Sequence, residues 1–475
     1  MPVIALISAF IAAAVLFWIS RRREEKPAEL ILKGAVIIYL CLSFFRYFLN
    51  DAFIWVINGN YYAGTYYDKT DVLQSLIRWG YYTSFVVYPM AVFSRSRFFR
   101  NMAVYFCLPF ALLSMVFFQD FMAYFADPAG RGLKWAFEAR AAYFTAELSF
   151  AAFIPLGLAA GLSHRMRLRE KGELARFAAL IPLVLLQMMP AYLLQSFFGY
   201  SGANISPLSL GHVLWLAVTA AQIIALYYVF RFKSYTVRYR LCVFLALVLF
   251  FHYGSTYLMG VYVTRLPIQL CNLASYIILV AVLTRWRPLY NFIFVANIVG
   301  TCIALAVPDI SGGLFSFWNI HFLYEHMLVL IVPVMCMNLR IFPRVRRDAV
   351  KHTAVGFCCY FMFCLVLGTL MNGYTDVLGT KVNYFYMFDL DKALSYLPFL
   401  GFLRLSVLQV GRFTLYPLFQ GLLFTVFLSL CMGFYALVQR FYEVADDHAR
   451  LRLARIELYQ KLTGRESASP TGYAD

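Results

Sequence analysis

A cysteine and a histidine that could act as nucleophile and base lie in two apolar segments of this 475-residue chain. Cys271 stands near the start of LPIQLCNLASYIILVAVLTRW (266–286), and His326 lies within FWNIHFLYEHMLVL (317–330). An imidazole can accept the proton of a thiol, and the resulting thiolate can attack a carbonyl carbon. Covalent acyl chemistry is therefore one hypothesis for these two residues.

Each residue also has a purely structural interpretation. Free cysteine is among the residue types most often buried, so Cys271 is by base rate more commonly a packing residue. An ionisable side chain inside a membrane span is costly and usually faces an interior or a cavity. His326 is therefore as much a candidate base as a candidate hydrogen bond between helices.

Several nearby polar residues could support such a site. Gln269 and Asn319 carry amides that could donate to an oxyanion. Glu325 adjoins the histidine but points about 100° away around a helix, so it is poorly placed to orient that ring. Asn383 and Tyr384, in a long loop, could supply a third group.

Other ionisable residues fall inside apolar runs, and they are His252, Glu147, Arg46 and Arg78. Pairs of them between helices would be structural ties, whereas a polar chain through the bundle would indicate transport. The ten cysteines contain no CxxC pair, and no zinc-type spacing occurs. The sequence predicts neither a metal nor a cofactor.

The elements that position these residues must be membrane helices. Hydrophobic residues make up 62% of the chain and charged residues only 14%, against about 25% charged in an average soluble domain. A helix needs about 20 apolar residues to cross a bilayer. The fold prediction is an all-α, polytopic helix bundle with thirteen such runs, near 3–20, 30–57, 72–93, 102–121, 137–163, 177–198, 209–231, 241–263, 266–284, 288–307, 317–339, 352–372 and 413–439.

Charge predicts the orientation of these helices. Most of the 41 lysine and arginine residues fall in alternate loops, as the positive-inside rule describes. The predicted N-terminus is outside and the C-terminus cytoplasmic, in a bacterial cytoplasmic membrane. This bias explains the net charge of +17 without a nucleic-acid partner. Cys271 and His326 then lie about 8 Å and about 13 Å into their helices from the outer side.

Two parts of the chain resemble each other. AVFSRSRFFRN (91–101) resembles AVLTRWRPLYN (281–291), and Pro155 pairs with Pro333 further along. The alternative is chance similarity between apolar segments with basic loops. A duplication predicts a leading helix (1–29) and two parallel six-helix units, 30–240 and 241–440. Tyr81 and Leu148 would then occupy the positions of Cys271 and His326 in the first unit.

Two segments lie outside the predicted spans. The outer loop from 372 to 412 is rich in aromatic residues, so it is either an interfacial cover or a lid. The tail from 441 to 475 is predicted to be a cytoplasmic amphipathic helix followed by disorder. Its basic residues could contact the bilayer or a protein partner.

Three motifs resemble those of the YwaF-like family of integral membrane proteins. They are LPIQLCNLASYIILVAVLTRW, IALAVPDI and VNYFYM, within about 250–437. Eukaryotic relatives in that family are described as cysteine-dependent phospholipid acyltransferases. The resemblance implies that Cys271 is the acyl-accepting nucleophile and His326 its partner. The histidine of the family motif is Gln269 here, so any proton step by that histidine is missing.

Three functional hypotheses follow. The first is a membrane acyltransferase that moves an acyl chain from phospholipid to a lipid or surface-glycan acceptor in the outer half of the bilayer. The alternative is a lipid or small-molecule transporter built from two parallel six-helix units. The third is a non-catalytic scaffold. Membrane lipids are the predicted partners of the first two, and the scaffold would bind a protein partner through its first unit and basic cytoplasmic tail.

Overall fold

A computed structural model shows the architecture of the chain. The residues it describes are 1–22, 25–49, 69–118, 137–161, 172–189, 193–194, 205–254, 266–306, 308, 310, 313, 316–378, 381–391, 394 and 398–463. Nearly all of them are helical, and the all-α prediction is confirmed.

Eight helical segments precede the middle of the chain, and one of them continues through a π-helical turn. They are α1 (Pro2–Arg22), α2 (Glu25–Leu49), α3 (Lys69–Tyr82), α4 (Ser84–Val92), α5 (Arg97–Met102) with the π-helix Ala103–Cys107, α6 (Leu108–Val116), α7 (Phe137–Gly161) and α8 (Glu173–Gln187).

The second part of the chain continues the bundle. Its helices are α9 (Leu210–Phe230), α10 (Tyr235–Val248) with the π-helix Leu249–Gly254, α11 (Leu270–Thr284), α12 (Arg287–Phe292) with the π-helix Ile293–Asn297, α13 (Ile298–Ala306), α14 (Phe317–Asn338), α15 (Asp348–Gly373), α16 (Thr375–Leu378) and α17 (Pro417–Thr463). Two 3₁₀ turns, Tyr384–Tyr386 and Pro398–Ser406, lie before the last helix together with β1 (Leu408–Val410) and β2 (Phe413–Leu415).

The helices are those of a multi-pass integral membrane protein. Within the described ranges, eight helical segments are long and apolar enough to cross a bilayer. Each of the thirteen apolar runs of the sequence overlaps a helix in at least part of its described residues. Many large side chains are exposed on the outside of the bundle, such as Val218, Phe363 and Val366. Such a surface suits contact with lipid rather than water.

Small residues allow the first helices to approach closely. Ala5, Ala9 and Ala13 recur every fourth residue on α1 and are all buried. α1 packs along α7, where a Cβ on Gly157 would come within 2.9 Å of Leu16. Close backbone approach through small residues is the usual way in which membrane helices associate.

Two segments of the chain contain the same series of secondary-structure elements. Arg95 and Arg285 both have positive φ, 52° and 56°. Each is followed by a six-residue helix, a five-residue π-helix and a nine-residue helix. The two sets begin 190 residues apart, at Arg97 and Arg287.

The end of the outer loop differs from its prediction. The last apolar run was expected to be helical from residue 413, but Phe413–Leu415 pairs with Leu408–Val410 as an antiparallel hairpin. Gly411 has a φ of +60° in the turn, a conformation that glycine adopts without strain. Pro417 then begins α17, because proline suits the first turn of a helix. α17 runs on to Thr463 as one 47-residue helix.

Candidate functional site

Cys271 lies in the first turn of α11. Gln269 is the N-cap with extended backbone, and the thiol is the second helical residue. The Cys271 Sγ is half-buried and donates to Asn272 Oδ1 at 3.4 Å. Free N–H groups and the helix dipole at a helix N-terminus stabilise a thiolate. The position therefore suits a nucleophile better than the middle of the helix would.

Two side chains of α15 support the segment just before Cys271. The Tyr360 hydroxyl donates to the Ile268 carbonyl at 2.9 Å, and Cys364 Sγ lies 3.9 Å from the same oxygen. Tyr360 is buried. These contacts fix the backbone from which the first turn of α11 begins.

A buried acid–histidine pair lies on the neighbouring helix, α14. His321 Nε2 is 3.6 Å from Glu325 Oε2, and both side chains are fully enclosed. The i,i+4 spacing places them on one face of the helix. α14 packs against α11, and Glu325 interacts electrostatically with Cys271 and Tyr276. Glu325 is therefore within electrostatic range of the thiol.

His326 carries a proton acceptor in the same region. Its Nδ1 is 2.6 Å from the Phe322 carbonyl oxygen. A carbonyl can only accept, so Nδ1 bears the hydrogen and Nε2 of the neutral ring bears a lone pair. Nε2 is buried and has no hydrogen-bond partner within the described part of the chain. No hydrogen bond joins His326 to Cys271 in those residues.

Gln269 holds the outer loop against the start of α11. Its Nε2 donates to the Asn383 carbonyl at 2.8 Å, and its Oε1 accepts from Phe385 N at 2.9 Å. Asn383 Oδ1 accepts from Phe388 N at 3.0 Å. On the other side, Asn372 makes a similar two-way contact with the Val382 backbone. Two amides thus fasten the loop at the level of Cys271.

Replacing Gln269 with alanine should loosen this loop. The change leaves the Asn383 carbonyl and the Phe385 amide without these partners, which we expect to lower the free energy of unfolding by about 1–3 kcal/mol. Limited proteolysis of the purified protein should cut faster within 381–391. Gln409→Ala, on the exposed hairpin, is the control. Equal cleavage of both variants would contradict the role assigned to Gln269.

Asn319 and Tyr384 also form hydrogen bonds within the described residues. Asn319 Nδ2 donates to the Gly313 carbonyl at 3.0 Å, and its backbone N–H lies 3.4 Å from the capping Ser316 hydroxyl. The Tyr384 hydroxyl donates to Met371 Sδ at 3.6 Å. Burial, with a smaller contribution from Cys364, raises the pKa of Tyr384 to about 12. Its hydroxyl therefore stays protonated at neutral pH.

The polar residues of the first part lie elsewhere. Glu147 is fully buried, and its Oε1 accepts from Ser43 Oγ and from the Tyr81 hydroxyl, each at 2.9 Å. Arg46, Arg78 and His252 were the other intramembrane candidates, and their side chains lie outside the described residues.

Sequence reasoning gave the Glu325–His321 pair too little weight. The signal was present, because HFLYE places the two ionisable groups four residues apart in an apolar helix. Buried His212 was not singled out at all. Its Nδ1 accepts from Leu208 N, and its Nε2 donates to the Leu305 carbonyl at 2.7 Å. His212 thus ties the start of α9 to the end of α13.

The fold and this site define a polytopic membrane protein with a buried polar centre in its second half. Residues 207–435 match the model of the TMEM164 family, a membrane protein family. That segment runs from just before α9 into α17 and contains every residue of the candidate site. Comparison with curated proteins and with solved structures gave no significant match. Among the described residues, no group of three or more His, Cys, Asp or Glu side chains could hold a metal ion.

Proposed function

We propose that the protein is an integral membrane acyltransferase with Cys271 as its nucleophile. The observation that carries this proposal is a half-buried thiol in the first turn of α11, next to the buried Glu325–His321 pair. A carboxylate and an imidazole inside lipid are costly and usually mark function. The match of this segment to a membrane protein family and its YwaF-like motifs point to the same region.

The first half-reaction uses Glu325 as the proton acceptor. As the sulfur of Cys271 bonds to the ester carbonyl carbon of a phospholipid, Glu325 takes the thiol proton. The bond from that carbon to the glycerol oxygen then breaks, and the proton passes to the departing oxygen. The products are a lysophospholipid and an acyl thioester on Cys271. His321, 3.6 Å from Glu325, holds the carboxylate in place.

The surroundings favour transfer over hydrolysis. The predicted topology opens the site to the outer half of the bilayer, where the Gln269-fastened loop covers the start of α11. A lipid-facing, water-poor site slows attack by water on a thioester. A lipid or surface-glycan hydroxyl would then receive the acyl chain.

An internal duplication is the second part of the proposal. Its support is the shared succession of elements after Arg95 and Arg285. The proposed units are 30–240 and 241–440, after a leading helix at 1–29. Six helices per unit imply parallel copies.

The first unit would then lack the nucleophile. Under the duplication, Tyr81 takes the place of Cys271 and Glu147 that of Glu325, and Tyr81 donates to Glu147 at 2.9 Å. A phenol bonded to the acid cannot form a thioester. The first unit would thus be a structural partner of the second, and two parallel units are also the feature that favours the transporter alternative.

Detection of the thioester tests the proposal. The full-length protein is incubated in vesicles of a phospholipid with an alkyne-tagged acyl chain, and the peptide with Cys271 is examined by mass spectrometry. We expect a tag that neutral hydroxylamine removes and that Cys271→Ala lacks. Equal tagging of the Cys271→Ala variant would reject the acyltransferase. Lipid flux that persists in that variant would favour the transporter.

A further inference from the structure

A second group of buried polar side chains lies on α14, which also carries Glu325 and His321, and on the segment 293–306. Asn297 and Thr301 are each 1% exposed and His326 is 2% exposed. The Asn297 Nδ2 and Oδ1, the Thr301 Oγ1 and the His326 Nε2 have no hydrogen-bond partner within the described residues. Buried polar atoms are nearly always paired, so a cluster of exceptions calls for an explanation.

Helix register places Asn297 at the level of His326, with Thr301 about one turn further along its helix. The Tyr290 hydroxyl donates to the Pro333 carbonyl at 2.9 Å, which aligns α12 with the inner part of α14. The two helices are antiparallel, so seven residues forward from Tyr290 reach Asn297, and seven residues back from Pro333 reach His326. Asn297 therefore lies level with His326.

The same residues lie on facing stripes of the two helices. Asn297, Thr301 and Leu305 recur every fourth residue and are buried, and α13 packs mainly against α14. Leu305 shares a hydrophobic cluster with Leu323 of α14. Each stripe therefore borders the α13–α14 contact.

The stripe of α14 contains His326. Phe322 and Leu330, one turn to either side of His326, both pack against the cluster that contains Leu305. His326 thus borders the α13–α14 contact. Glu325, the next residue, lies about 100° around the helix on the side of Cys271.

The local backbone adds a further sign of function. Asn297 ends the π-helical turn Ile293–Asn297. Single π-helical turns within α-helices occur frequently at functional sites. The wider π-helical turn also changes the rotation of the side chains that follow it, so Asn297 and Thr301 face a different direction from the one a continuous α-helix would give them.

We propose that Asn297, Thr301 and His326 form the subsite for the hydroxyl group of the acyl acceptor. This proposal rests on the proposed acyltransferase function. An amide, a hydroxyl and an imidazole lone pair offer both donors and acceptors without a fixed charge. That set matches a neutral alcohol, which both donates and accepts a hydrogen bond. The alcohol is carried by a lipid or by a surface glycan.

The subsite completes the second half-reaction. His326 Nε2 takes the proton of the acceptor hydroxyl while its oxygen bonds to the thioester carbon. The carbon–sulfur bond breaks, and the proton of His326 returns to the Cys271 thiolate by way of Glu325, the acid on the side of Cys271. The products are a new ester and the free thiol. Asn297 and Thr301 position the hydroxyl for this step.

Conservative variants separate this step from the first one. Thr301→Val keeps the side-chain shape and Asn297→Leu keeps most of the volume, so both remove a buried polar group that lacks a partner. Thr353→Val is the matched control, because the Thr353 Oγ1 is also buried without a described partner but lies on α15. None of the three changes alters Cys271, Glu325 or His321.

The measurement follows thioester formation and discharge in the reconstituted full-length protein. Vesicles contain phosphatidylcholine with a tagged acyl chain, and lysophosphatidylcholine is added as the alcohol. We expect normal thioester formation in both variants, discharge slowed about tenfold by each change, and unchanged discharge in Thr353→Val. Thermal stability should stay equal or rise, because an unpaired polar group is removed. Free fatty acid as the main product would identify water, not an alcohol, as the acyl acceptor and would contradict the subsite.

Two further results would overturn the subsite, in different ways. Normal discharge in both variants would reject it while leaving the acyltransferase intact. If the parent forms no thioester, the proposed function fails, and a long-chain alcohol with a photoreactive diazirine then tests the subsite alone. Labelling of the peptide 287–306 should fall in Asn297→Leu and Thr301→Val but not in Thr353→Val. Labelling that does not change would reject the subsite.

Discussion

Replacing Cys271 with serine is expected to reduce acyl transfer by at least about a thousandfold. A serine hydroxyl at this position has a far higher pKa than a thiol, and the Glu325–His321 pair would have to activate a much weaker acid. The helix N-terminus stabilises a thiolate but cannot make an alkoxide abundant at neutral pH. The loss should therefore appear in the first half-reaction, as failure to form the acyl-enzyme.

The fold should survive this substitution. The Cys271 side chain is half-buried, and its hydrogen bond is to Asn272 Oδ1, an acceptor that a serine hydroxyl can also use. The surrounding backbone is held by other groups, Tyr360 and Gln269. The expected change in the free energy of unfolding is within about 1 kcal/mol.

Transfer of a tagged acyl chain in reconstituted vesicles measures the effect. Cys302→Ser is the matched control, since Cys302 lies on α13 and is exposed on the outside of the bundle. The control should keep the parent rate. A Cys271→Ser protein that transfers acyl chains as fast as Cys302→Ser would exclude Cys271 as the nucleophile.

Much of the fold could be predicted because lipid restricts the choice of structures. A backbone that crosses a bilayer must satisfy its own hydrogen bonds, so apolar runs of about 20 residues become helices. The same argument does not apply at the bilayer surface. There, residues 413–415 joined a hairpin instead of the helix that follows, because turn geometry at Gly411 decides the local structure.

The sequence predicts a depth for the candidate site residues but not the rotation of the helices that carry them. Counting residues placed Cys271 and His326 at similar levels, yet a level does not tell which face of α14 turns toward α11. Packing decides that rotation, and it places Glu325 within electrostatic range of Cys271. The role of the base in the first half-reaction is therefore proposed for Glu325.

Contacts between segments far apart in the sequence also could not be predicted. Gln269 was noted for replacing a histidine, and Asn383 for its motif, but nothing in either segment indicated that they bond to each other. Asn297 and Thr301 were missed although NIVGT places two polar residues four apart in an apolar run. Polar pairs at this spacing are common in packed helices. The Asn297–Thr301 pair indicates a site only together with the unpaired Nε2 of His326.

Breaking the buried Glu325–His321 pair should produce the largest change in stability. Glu325→Leu leaves the His321 ring without its carboxylate, and His321→Leu leaves the carboxylate without its ring. His321→Leu is expected to cost about 3–5 kcal/mol, because a buried carboxylate loses its partner, and Glu325→Leu about 1–3 kcal/mol, because the group left behind is a neutral ring. The double variant should recover much of that loss, since two well-packed apolar residues replace a buried pair with little net cost.

In the double variant, thioester formation should not recover together with the free energy of unfolding. If Glu325 accepts the Cys271 proton, the double variant is folded and yet forms no thioester, because no proton acceptor adjoins the thiol. Thermal unfolding in detergent and thioester formation in vesicles measure the two effects separately. Asp391→Ala, which removes the exposed partner of Arg404, is the control and should change neither quantity appreciably. A double variant that forms the thioester at the parent rate would show that the pair is structural and that another group deprotonates Cys271.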